Sequence, residues 1–213
     1  MFKNLILKKV MLLIFIFFST AHAEIPTNQE SYLNEALIED VWTVRVNIFE
    51  NLPESVIANV NGKITHGDKL SIRVPIEELE YCDYGNIFTT FYTTAKNPKL
   101  NELDNKIISA VFKDEKVNLK IITSVKAMLG DVVFIDMGWN NIESIKSYFQ
   151  NREQVSIELK SGDGINAFDY FDILKNTFVL NGLNEALDRA KNECLKIVKQ
   201  KESVELGLKK TNH

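Results

Sequence analysis

Val41-Trp-Thr-Val-Arg-Val-Asn-Ile-Phe49 alternates apolar and polar side chains almost without a break. Successive side chains of an extended chain point to opposite faces, so Trp42, Val44, Val46 and Ile48 share one side and Thr43, Arg45 and Asn47 the other. A period of two over this length predicts a half-buried strand. The next apolar run, Ser55-Val-Ile-Ala-Asn-Val60, ends at Asn61-Gly62, a strong signal for a two-residue hairpin turn. Gly67-Asp68 marks another turn, and Lys69 to Val74 alternates again with Leu70, Ile72 and Val74 inward until Pro75 stops it. Three strands at hairpin spacing within one short stretch predict an antiparallel sheet.

The pattern continues outward from there. Asn86 to Thr94 is rich in β-branched and aromatic residues, which favour strands. Ala95 to Asn105 reads as a polar loop around Pro98. Ile107–Phe112 and Val117–Val125 flank a charged tip, Lys113-Asp-Glu-Lys116, and Gly130-Asp131 introduces a strand over Val132–Met137. The period then changes. Ile142, Ile145, Tyr148 and Phe149 recur at helical spacing behind Asn140-Asn141, which are good helix caps, so a short helix is expected over 142–150. Val155, Ile157 and Leu159 alternate as a strand ended by Gly162-Asp163-Gly164, and Ala167–Ile173 with Thr177–Leu180 are expected to form a last hairpin. After Asn181-Gly182, the residues Leu183, Ala186, Leu187, Ala190, Cys194 and Ile197 draw one apolar stripe along a helix. The expected fold is α+β and mainly β: an antiparallel sandwich or partly open barrel of about nine or ten strands with a C-terminal helix packed on it. The single β-rich domain spans 41–199, with an N-terminal arm over 24–40 read as a short helix or loose segment, and a polar tail over 200–213.

The first residues predict where the protein works. Lys3, Lys8 and Lys9 precede the apolar run Val10–Phe18, and Ser19-Thr-Ala-His-Ala23 ends in a small-x-small pattern, so 1–23 reads as a secretory signal peptide cut after Ala23. The apolar run is about half of the roughly 20 residues needed to cross a bilayer. No cysteine stands at the cut to take a lipid, and no transmembrane anchor is expected once the segment is removed. The chain carries net charge −4, and loss of the three signal lysines takes it to −7. An acidic protein repels phosphate backbones and anionic lipids, which argues against nucleic acid as a partner. An exported chain with two cysteines favours a bridge between Cys82 and Cys194, the alternative being two separate buried thiols. Such a bridge would close a loop of about 112 residues, worth up to ~5 kcal/mol on the chain-entropy model.

Catalytic motifs are scarce. Beyond the signal only His66 and His213 remain, no Gly-x-Ser-x-Gly elbow stands ready to meet a histidine, and no His/Cys spacing suits zinc. Ser161-Gly-Asp-Gly-Ile165 is too short for a calcium loop of the helix-loop-helix kind, and its glycines fit a tight turn better than a phosphate cradle. No cofactor or metal is therefore expected. Asp169 and Asp172, set among Phe168, Tyr170 and Phe171, are the one acid pair in an aromatic setting of the kind glycan chemistry uses. On a strand, however, they would face opposite ways. Glu77, Glu78 and Glu80 form an acidic run before Cys82, read as a solvated face or a contact for a basic partner. Trp139, in Met137-Gly-Trp-Asn-Asn141, is expected in a turn between strand and helix, either as a contact residue or folded over the core as a lid.

The C-terminal run Phe178-Val-Leu-Asn-Gly182-Leu183, with Ala186, Leu187 and Cys194, together with the strand Val155–Leu159, resembles the ending of small exported bacterial proteins of the invasion-associated locus B family and of type VI secretion-associated periplasmic proteins. The resemblance covers residues 130–197. It implies a Gram-negative periplasm and an envelope accessory or binding role, and carries over no site residues. The functional expectation is a periplasmic accessory protein without catalytic activity, contacting another envelope protein or a small ligand. A carboxylate-based envelope hydrolase and a periplasmic inhibitor or immunity protein are the alternatives.

Overall fold

The chain builds one antiparallel sheet of ten strands in the order β1-β2-β3-β4-β5-β8-β7-β6-β9-β10. The computed structural model describes residues 36–38, 41–47, 54–65, 67–94, 100–162 and 164–211. Residues 1–23, read above as a signal peptide, most of the arm, His66 and His213 lie outside the described residues. Within the arm, Ala36–Ile38 forms an edge strand, β1, paired with β2, where a helix or loose segment was expected.

β2 (Trp42–Asn47), β3 (Ser55–Asn61), β4 (Lys69–Pro75) and β5 (Tyr84–Thr93) follow as a meander. Their register puts Trp42, Val60, Leu70 and Thr89 in one row across the sheet, and Val44, Ala58, Ile72 and Ile87 in the next. All eight are buried and form the sheet's inner face. The chain then leaves the meander. β6 (Ile107–Phe112), β7 (Glu115–Lys126) and β8 (Asp131–Asn141) fold back so that β8, not β6, pairs with β5. β9 (Gln154–Lys160) lies on β6, and β10 (Lys175–Val179) on β9. The β6–β7 tip tightens to Lys113-Asp114, both at positive φ, the conformation that a two-residue hairpin with the natural strand twist requires.

The sheet curls but does not close as a continuous ladder. Its last strand reaches the β3–β4 connection, where Gly62 bridges Phe178 and the Lys63 N–H donates to the Thr177 carbonyl at 2.9 Å. The expected Asn61-Gly62 hairpin is therefore a longer turn: Gly62 is held by the Asp68 carbonyl at 2.8 Å and Asn61 pairs with Lys69. The partly open barrel is thus the fold adopted. Two further expectations fail locally. Ala167–Ile173 is no strand: Ala167–Asp169 is a 3-10 turn, and β10 makes its hairpin with β9.

Two helices among the described residues complete the core. α1 (Ile142–Phe149) starts at Asn141, whose side chain accepts the Glu143 N–H at 2.9 Å. It buries Ile142, Ile145 and Phe149. α2 (Leu183–Thr211) buries Leu183, Ala186, Leu187, Ala190, Cys194 and Val198 against β2, β3 and β4. It runs on through most of the stretch expected to be a polar tail. Ion pairs fasten α2 at three points: Lys146–Asp188 at 2.5 Å to α1, Lys191–Asp83 at 2.5 Å to the turn before β5, and Lys201–Glu54 ahead of β3. No helix among the described residues is long and apolar enough to cross a membrane.

Candidate functional site

The Cys82–Cys194 bridge forms, and it organises the region around it. Cys82 lies in a 3-10 turn, Leu79–Asp83, between β4 and β5. Both cysteines are fully buried, so the turn is pinned by its inner side to α2. Its outer side is then left to present Tyr81, with Glu77, Glu78 and Glu80 exposed beside it.

The outer face of the sheet supplies the opposite wall. Arg73 pairs with Asn86, and Asn86 with Trp139, so the three stand in one row across β4, β5 and β8. The Arg73 guanidinium lies over the Trp139 ring, 5.8 Å from its centre, a cation–π contact. Its Nε is buried with no hydrogen-bond partner, and Arg73 forms no ion pair among the described residues. Arg73, Pro75, Glu77, Tyr81, Tyr84 and Trp139 enclose a groove of about 360 Å³. Glu80 and Asp83 continue its rim. Tyr81, Tyr84 and Trp139 expose 41%, 47% and 51% of their surfaces. Each offers a large rigid ring at the low side-chain entropy cost that makes tyrosine and tryptophan effective contact residues.

Trp139 is therefore neither in a turn nor over the core: β8 continues through it to Asn141. A bulge makes this possible. The β5–β8 register slips between Ile87 and Phe88, leaving Met137 without a partner, and bulges of this kind re-aim the side chains beside them. The Asp136 carboxylate holds the bulge by accepting from Asn86 Nδ2 at 2.7 Å and from the Gly138 N–H at 3.1 Å. Gly138 takes φ +102°, with open space where a Cβ would sit. The requirement at this position is thus conformational and not steric. Gly138→Ala is expected to cost about 1–2 kcal/mol of stability and to shift the Trp139 emission. Chemical denaturation followed by tryptophan fluorescence checks both, and an unchanged midpoint would refute the assignment.

The structure separates the remaining candidates. Asp172 accepts from the Thr94 N–H at 2.5 Å and from the Thr94 hydroxyl at 2.7 Å, so it caps the end of β5. Asp169 accepts from Asn166 Nδ2 at 2.9 Å inside its own turn. Gly162 and Ile165 exchange two backbone hydrogen bonds of 2.9 Å, the geometry of a tight turn. Among the described residues no three His, Cys, Asp or Glu side chains gather as metal ligands. Tyr81 and Tyr84 are the wall residues sequence reasoning missed. Their sequence signal is the pair of tyrosines flanking the bridged cysteine in Glu80-Tyr-Cys-Asp-Tyr84: in this turn Cys82 is buried and both rings are exposed.

Fold and groove together define a partly closed, ten-stranded antiparallel sheet, bolted by one disulfide to its C-terminal helix and carrying an aromatic groove with an acidic rim on its outer face. No family model, curated protein or solved structure matches the chain.

Proposed function

We propose that the protein is an exported accessory protein of the cell envelope that binds another protein through the groove of Tyr81, Tyr84 and Trp139. The observation that carries this reading is the grouping of three half-exposed aromatic rings around one groove, with Tyr81 on a turn that a buried disulfide holds opposite Trp139. Aromatic anchors in a preformed depression dominate the energetics of protein contacts, and rigidity reduces the entropy lost on binding. Glu77, Glu80 and Asp83 at the rim favour a partner segment bearing basic residues, and the free donors of Arg73 give that segment a hydrogen-bonding group to meet. The periplasm suits both the leader-like residues 1–23 and a structural disulfide. The resemblance of the C-terminal strand, Gly182 turn and helix to exported accessory proteins points the same way.

Cross-linking in intact cells followed by affinity capture is expected to recover a reproducible envelope partner. Trp139→Ala is expected to weaken that partner's binding by about 2 kcal/mol, roughly thirtyfold, while the melting temperature stays close to that of the parent, because the ring is half-exposed. Capture that yields no reproducible protein, or the same protein at equal strength with Trp139→Ala, would remove the groove from this role.

A further inference from the structure

Beside α1 the inner face of the sheet comes close to the surface. Ile87, Phe112 and Leu119 each keep 6% of their surface exposed, whereas Ile72, Ile108 and Ile135 keep none. Ile87, Phe112 and Leu119, with Met137 and Ile145, floor a cavity of about 430 Å³ beside α1. Small-molecule sites occupy roughly 300–1,000 Å³, are mostly apolar with a few placed polar groups, and favour the mouths of barrels. This cavity has each of those properties.

The bulge contributes here too. Met137, the residue left without a partner in the β5–β8 pairing, lines the cavity. A thioether side chain adapts its shape to different apolar occupants. Asn140 and Ser144 stand around the rim, and neither makes a side-chain hydrogen bond among the described residues. The Asn140 amide and the Ser144 hydroxyl are thus left to meet an occupant, while the Asn118 side chain turns to the other face of β7, where its Oδ1 accepts from Ser109 Oγ at 3.3 Å. No charged side chain lines the cavity, and Lys113, beside the lining residue Tyr148, is engaged over its ring and with its carbonyl. A charged head group would enter without a counter-ion, which is costly.

We propose that this cavity binds a small apolar molecule carrying one neutral hydrogen-bonding group such as a hydroxyl or amide. The site is independent of the groove, since Met137 and Trp139 serve opposite faces of the sheet.

The neutral fluorophore N-phenyl-1-naphthylamine, titrated into the intact protein, is expected to bind saturably at one site and to be displaced by 1-decanol at least tenfold more effectively than by decanoate or decylamine. Ser144→Trp, which places bulk at the rim from an exposed helical position, is expected to weaken probe binding at least tenfold. Lys199→Trp, exposed on α2, adds the same bulk elsewhere and is expected to leave it unchanged. In the unaltered protein, 1-decanol is expected to shift the NMR methyl signals of Ile87, Leu119, Met137 and Ile145 ahead of those of Val44 and Val74. Non-saturable uptake, equal binding by Ser144→Trp, methyl shifts spread over the whole core, or preference for a charged amphiphile would each overturn the assignment.

Discussion

Removing the Cys82–Cys194 bridge is expected to lower the thermal midpoint by about 10–20 °C. The bridge joins residues 112 apart in sequence, and closing a loop of that length takes about 5 kcal/mol of chain entropy from the unfolded state. A domain of this size shifts by about 2–4 °C for each kcal/mol. Set against a total stability of roughly 5–15 kcal/mol, the loss is a large fraction of what holds the chain folded. Both sulfurs are buried, so the reductant must act on the unfolded chain, or the pair must be replaced as Cys82→Ala with Cys194→Ala. The effect is also local. Without the bridge, the Leu79–Asp83 turn keeps the Lys191–Asp83 ion pair, which has one half-exposed partner and is a weak tether. Tyr81 then loses its fixed place opposite Trp139. Calorimetry of oxidised and reduced protein checks the first expectation, and loss of partner capture at a temperature where the reduced chain is still folded checks the second. Equal midpoints would show that the bridge adds nothing beyond the packing around it.

The bridge and the core stripe of α2 were legible because each depends on local facts: an even cysteine count, an export-like leader, and apolar residues at helical spacing. The strand Ile107–Phe112 and the cap at Asn141 were legible for the same reason. What escaped was long-range. Hairpin spacing predicts pairing between neighbours in sequence, yet β5 pairs with β8, and nothing in either strand's alternation encodes that choice. The end of β8 was misplaced because Gly138 reads as a turn, while in the fold it serves a bulge that carries the strand on through Trp139. Phe168-Asp-Tyr-Phe171 mimicked a strand by alternation, but Asn166 and Asp169 hydrogen-bond within the segment and wind it into a 3-10 turn, the competition that short polar side chains offer to regular structure. The groove was half legible: Trp139 and the acidic run were both singled out, and only the register of β4, β5 and β8 brings them together.

Asn176→Ala is expected to cost about 3 kcal/mol and to open the sheet where it nearly closes. Asn176 is fully buried in β10 and ties it to the β3–β4 turn with its whole side chain. Its Oδ1 accepts from the Ile64 N–H at 3.0 Å and the Thr177 N–H at 2.8 Å. Its Nδ2 donates to Asp68 Oδ2 at 2.7 Å and to the Thr65 carbonyl at 3.2 Å. Truncation strands two backbone donors and removes one of the groups that solvate a buried carboxylate. Each such loss costs about 1–3 kcal/mol, partly offset by relaxation. Amide exchange should quicken at Lys63 and Ile64 while the β6–β7 hairpin stays protected; uniform loss of protection would mean that the seam is not a separable unit. Burial pushes the Asp68 carboxyl above its ordinary value of 3.8, with the Tyr92 N–H and Asn176 pulling the other way. The folded chain therefore holds this proton more tightly than the unfolded one. Its stabilising share is full below the unfolded value and is lost as pH rises through the folded one, so the deficit of Asp68→Asn relative to the parent should narrow over that rise. The sharpest test uses Gly62. A Cβ there would stand 2.2 Å from Asn176 Nδ2, so glycine is needed for space, not for its backbone freedom. Gly62→Ala alone must displace Asn176 and break the same bonds. In the Asn176→Ala background the obstacle is gone, and the second substitution should cost little more. Strict additivity of the two losses would show that the close approach of Asn176 to Gly62 does not hold the seam.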